Sequence, residues 1–109
     1  MLERLSDWGI KRIYGYPGDG INGLLGAFHE VGDKIEFTQT AHEEIASFAA
    51  SAHAKFTGEV GVCMGTSGPG AIHLLNGLYD ASSTTSPWSR SSANRRGWAW
   101  VATSSRRWT

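Results

Sequence analysis

A stretch of 109 residues, 40% of them hydrophobic, can hold one small domain, and only its first 81 residues have the apolar content to build a core. The formal net charge of zero conceals an asymmetry: residues 1–81 carry all ten acidic residues and five basic ones, whereas residues 82–109 carry five Arg, eight Ser, four Thr, four Trp and no acid. No apolar run approaches the roughly 20 residues of a membrane helix, the opening MLERLSDWG lacks the apolar core of a signal peptide, and a single cysteine excludes an intrachain disulfide. A non-membrane, cytoplasmic protein is expected, with Cys63 a small buried hydrophobe inside VGVCMG.

In chain order, MLERLSDWG predicts a helix closed near Gly9, and IKRIYGY a short strand rich in β-branched and aromatic residues. PGDG then turns into a helix over INGLLGAFHEVG. KIEFTQT predicts a second strand, HEEIASFAASAHAKFTG a helix closed at Gly58, and EVGVCMG a third strand. TSGPG leads into a fourth helix, AIHLLNGLYDA. Strands alternating with helices predict an α/β fold with a parallel sheet, and ligands at the carboxyl ends of its strands.

Three loops leave those carboxyl ends: YPGDG, TQTAHEE and GTSGPG. TSGPG before a helix could cradle an anion on backbone N–H groups, but it lacks the lysine of a P-loop and equally reads as a tight turn. Gly18-Asp19-Gly20 reads as a turn, since no second oxygen ligand follows at an obvious spacing. His42-Glu43 would open a zinc H-E-x-x-H helix, but Ala46 stands where the second histidine is required, so no metal ligand is expected here. Glu43 has two readings. Thr40-Ala41-His42-Glu43 fits the S/T-x-x-E capping box, in which the glutamate bonds back to the cap backbone. Alternatively, because the helix behind it is lined with Ala46, Ala49, Ala50, Ala52 and Ala54, it can approach another surface closely and bring the carboxylate to a ligand.

Taken together, YGYPGDGINGLLGAF and TAHEEIASFAASAHAKFTGEVGVCMGTSGPGAIHLLNGLYDA resemble the N-terminal, pyrimidine-binding domain of thiamine diphosphate-dependent enzymes, nearest the pyruvate oxidase and acetolactate synthase group. The resemblance covers residues 1–81 and implies a partial thiamine diphosphate-binding fold belonging to a 2-keto acid decarboxylase, oxidase or carboligase. It implies that Glu43 bonds N1′ of the cofactor's aminopyrimidine and so promotes removal of the thiazolium C2 proton, for which a carboxyl group with a raised pKa is expected. It further implies that Tyr16, Pro17, Thr66, Pro69 and His73 line the pyrimidine pocket, with a packing role for His73 equally open. In such enzymes Mg²⁺ and the diphosphate are held by a separate domain, the site lies between two subunits of a homo-oligomer, and FAD accompanies the cofactor in some full-length members. Residues 1–81 would therefore form one wall of a site and be inactive alone.

Residues 82–109 do not continue the pattern. With permitted codons for Ser82 to Asn94, a reading frame displaced by two nucleotides yields L-D-H-Q-P-V-V-A-I-V-G-Q, the strand such a domain would have there. The tryptophans, with their single codon, fall where the displaced frame gives Val or Met. This predicts a disordered, out-of-frame tail beside an unpaired sheet edge. The rival reading is a small α/β binding module whose interleaved Arg and Trp contact nucleic acid, although no nucleic-acid-binding motif accompanies them.

Overall fold

The computed structural model describes residues 1–83 and 99–103 of the chain. Four parallel strands, β1 (Arg12–Gly15), β2 (Glu36–Gln39), β3 (Val62–Thr66) and β4 (Ala99–Thr103), form one sheet in the order β2-β1-β3-β4. Helix α1 (Leu2–Asp7) precedes β1, α2 (Asn22–Val31) links β1 to β2, and α3 (Glu43–Thr57) links β2 to β3. The predicted fourth helix is two, α4 (Pro69–His73) and α5 (Leu75–Ser83), which meet at Leu74.

Period-two alternation sorts the strand side chains onto two faces. Ile13, Val62 and Met64 join Leu2, Leu5, Ile10, Ile21 and Ile35 in one core, against which Leu24, Leu25 and Phe28 of α2 pack. The intervening Tyr14 and Cys63 point the other way, into a smaller core with Ala46, Ala50 and Leu74. Helices therefore cover both faces, as a parallel sheet requires. Cys63 is only 2% exposed, and burial pushes its thiol pKa up to about 12, in keeping with the inert hydrophobe expected.

Small residues decide how closely α3 can lie. A methyl group on Gly61, at the entry to β3, would overlap the carbonyl oxygen of Ala50 and stand 2.7 Å from its carbonyl carbon. One on Gly77 would overlap the Ser47 hydroxyl oxygen and stand 2.5 Å from its carbonyl carbon. Above this seam Lys55 Nζ and Ser51 Oγ both donate to Asp80 Oδ2, at 2.7 and 2.9 Å, tying α3 to α5. The Lys55 bond, with that from Ser51, holds the Asp80 carboxyl below its ordinary pKa. The helix ends as the sequence predicts: Gly58 takes φ 71°, and its N–H reaches the carbonyl of Ala54 at 3.0 Å.

The carboxyl-terminal tail differs from expectation at the five residues described. Ala99–Thr103 pair with β3 from Val62↔Ala99 to Thr66↔Thr103, so β3 does not present an open edge there. The physical reason is local: AWVAT carries three residues suited to a pleated strand, and an unpaired parallel edge is a ready template for them. The expected disorder of the remaining tail, and the Trp and Arg proposed to contact nucleic acid outside 99–103, fall outside the described residues. Among the described residues no helix is long and apolar enough to cross a membrane.

Candidate functional site

The strand order places a switch point between β1 and β3: the chain leaves β1 toward β2 on one side and returns to β3 on the other. At such a point the loops at the carboxyl ends diverge and leave a crevice. Here those loops are Tyr16 to Gly18 after β1 and Ser67-Gly68 after β3. They are pinned across the crevice, with the N–H of Gly20 donating to Thr66 Oγ1 at 3.0 Å. Gly18-Asp19-Gly20 is the turn expected, Asp19–Ile21 forming a short 3-10 turn that feeds α2.

Glu43 is the first residue of α3 and only 8% exposed. Its side chain lies over two glycines, Gly65 of β3 and Gly70 of α4. A methyl on Gly65 would stand 3.3 Å from Glu43 Cγ, and one on Gly70 would stand 3.1 Å from Oε1 and 2.8 Å from Cγ2 of Thr66. The glycines of GTSGPG thus open a cradle for a side chain that enters from α3. Pro69 opens α4 at its first turn, where its missing N–H costs nothing.

His73, on α4, turns its Nδ1 toward Glu43 Oε2 at 3.2 Å, so the carboxylate accepts from the ring N–H. His42 Nε2 lies 3.7 Å from the same oxygen, and the two imidazoles are tilted against each other with centroids 4.5 Å apart. The ring of His42 is oriented from behind, since its Nδ1 accepts from the backbone N–H of Glu44 at 3.1 Å. With the proton of the neutral ring on Nε2, His42 also points a donor at Glu43.

Two expectations are corrected. The capping box does not form: His42 is the N-cap and supplies the capping nitrogen, while Thr40 Oγ1 donates to the carbonyl of His42 at 2.8 Å. Glu43 therefore stands at the first helical position, two residues short of where a capping-box glutamate must be. Nor is its pKa raised. Burial, the largest single influence, pushes it up, but the Glu43 backbone N–H, the bond from His73 and the nearness of both histidines together hold it below the ordinary carboxylate value. At neutral pH the group is a carboxylate.

Of the residues the sequence singles out, the structure brings Glu43, Thr66 and His73 together around Gly70. Tyr16 is 39% exposed and Pro17 half-buried on the β1 loop, and Pro69 is exposed at the start of α4 on the opposite side. These three stand on the two rims of the crevice without a hydrogen bond to the central cluster. His42 was missed as a partner of Glu43, because the signal tested at His42 was the zinc spacing and not its neighbour's need for donors.

Sequence comparisons bear on this site. A family model described as the thiamine pyrophosphate enzyme, N-terminal TPP binding domain, matches residues 1–88. The chain is 47% identical over 81 residues to pyruvate oxidase of Lactiplantibacillus plantarum, an alignment covering 74% of this chain and 13% of that protein. It is 38% identical over 89 residues to an acetolactate synthase large subunit of Parasynechococcus marenigrum, covering 80% and 14%, and 40% identical over 81 residues to the isozyme 2 large subunit of Escherichia coli, covering 74% and 14%. The chain spans 13% to 20% of the length of the first curated relatives it matches. By this match over residues 1–88, the chain belongs to the family of thiamine pyrophosphate enzyme N-terminal domains.

Proposed function

We propose that residues 1–81 supply the pyrimidine-contacting wall of a thiamine diphosphate-dependent enzyme that acts on a 2-keto acid. The observation that carries this reading is the placement of Glu43: a buried carboxylate at the head of α3, on the switch-point side of the sheet, seated against Gly65 and Gly70, whose missing side chains make room for it. These residues fit the group, since a carboxylate in a half-dry crevice is an acceptor for a ring nitrogen that carries or shares a proton. The cofactor, when bound, supplies the electron sink for decarboxylation. Glu43 binds and orients the ring nitrogen, and its negative charge raises that nitrogen's affinity for a proton. His42 and His73 hold Glu43 in place through Oε2. Thr66 locks the two loops together through Gly20. Tyr16, Pro17 and Pro69, on the rims, limit the entry of water.

In this reading Mg²⁺, the diphosphate and, in members that use it, FAD are bound by parts of the enzyme outside residues 1–81, and the site is completed by another subunit. We read residues 82–109 as an out-of-frame continuation. The β4 strand weighs against the disorder expected of such a tail, and the nucleotide sequence across the Ala81 and Ser82 codons decides the matter.

The wall itself is tested by transplantation. Residues 1–81 are exchanged for the matching segment of the Lactiplantibacillus plantarum pyruvate oxidase, and exchange of the cofactor's C2 proton is followed by NMR. Exchange within about tenfold of the parent enzyme is expected, since the loss of one well-placed acid-base group alone costs about 10²-fold or more. A chimera that folds and binds the cofactor yet exchanges no faster than free cofactor contradicts the proposal.

A further inference from the structure

We propose that His42, Glu43 and His73 form a binding site for a first-row divalent transition-metal ion. One ligand atom from each of the three lies within 4.8 Å of the others, and both His42 Nε2 and His73 Nδ1 face Glu43 Oε2. Two imidazole nitrogens and one carboxylate oxygen are the donor set that zinc and iron(II) centres use when they keep an open position. A tetrahedral ion with bonds of about 2.0–2.2 Å requires ligand atoms about 3.4 Å apart. The Glu43–His73 and Glu43–His42 separations of 3.2 and 3.7 Å bracket that edge.

Access and rigidity are divided among the three. The Glu43 side chain is 10% exposed and held at the helix start, whereas those of His42 and His73 are 46% and 44% exposed, so an ion can enter from solvent and retain water in a fourth position. The spacing that argued against zinc in the sequence concerned a single helix. Here the second histidine comes from α4, thirty residues after Glu43.

Binding requires two proton relocations and no net release from neutral rings. The His73 proton moves from Nδ1 to Nε2, and the His42 proton from Nε2 to Nδ1. The second has a consequence, because Nδ1 of His42 now accepts from the Glu44 N–H, and a protonated Nδ1 cannot. Metal binding therefore releases this cap, and the amide of Glu44 reports it. The metal site rests only on the three ligands and not on the function proposed above.

The test is a titration of the 109-residue chain with Co²⁺, read by visible d–d absorption, with Zn²⁺ as competitor. A saturable band of four- or five-coordinate intensity at one ion per chain, bleached by Zn²⁺, is expected, with a shift of the Glu44 amide resonance in the diamagnetic Zn²⁺ form. His73→Ala and the shape-keeping His73→Asn should each weaken binding by roughly tenfold or more, a floor set by the effect of losing even an outer-sphere partner. His29→Ala, on α2 and outside the cluster, should leave binding unchanged. No band at millimolar Co²⁺, or a band that His73→Asn leaves intact in a chain of unchanged circular dichroism, overturns the proposal.

Discussion

Glu43→Gln, introduced into the chimera that carries residues 1–81, is expected to slow C2 proton exchange by about 10² to 10⁴-fold, the usual range for removing an acid-base group. Glutamine preserves the volume over Gly65 and Gly70 and can still accept a hydrogen bond from His73, so the crevice keeps its shape. What it lacks is the negative charge. A neutral amide cannot raise the ring nitrogen's proton affinity, nor share a proton with it. Cofactor binding should change much less than exchange, because one hydrogen bond of a neutral group is worth only about 1 kcal/mol net. Equal exchange rates in the variant and its parent would reduce Glu43 to a structural residue at a helix start.

Gly61→Ala is expected to destabilise the chain by about 3 kcal/mol or more, at the upper end of what overpacking costs. The added methyl would meet the Ala50 carbonyl group, which is helix backbone and cannot rotate aside as a side chain could. Relief requires α3 to lift from the sheet, carrying Glu43 with it. For a small domain near the low end of the usual 5–15 kcal/mol of stability, such a loss is a large share of the total. Gly23→Ala supplies the contrast: it lies in α2, a methyl there would meet nothing within 4 Å, and the better helix propensity of alanine should stabilise by up to about 1 kcal/mol. Urea denaturation of both variants checks the pair.

Much of this architecture was legible because local signals agreed with the global fold. Gly58 ended α3 where a left-handed residue was needed, and the alternation of Ile13 with Tyr14 and of Val62 with Cys63 matched a sheet buried on both faces. That three loops share one edge followed from parallel pairing alone. Other features required tertiary structure. Thr40 offered a better cap by composition than His42, yet its hydroxyl turns to the His42 carbonyl, leaving the imidazole to cap Glu44. The meeting of Glu43 with His73 depends on how α4 leaves β3, and the sign of the Glu43 pKa shift depends on donors that local spacing does not reveal. Nothing in the local sequence marks Gly61 and Gly77 as the residues that let α3 approach. β4 is not legible locally because its pairing depends on the edge of β3 beside it.

The claim that Glu43 meets a ring nitrogen of the cofactor is tested most directly by the ¹⁵N chemical shift of N1′ in labelled thiamine diphosphate bound to the chimera. Contact with Glu43 should move that resonance away from its value in free cofactor, toward that of a hydrogen-bonded or protonated nitrogen, and Glu43→Gln should return it toward the free value. An N1′ resonance that is the same in both chimeras, with the cofactor bound in each, would contradict it.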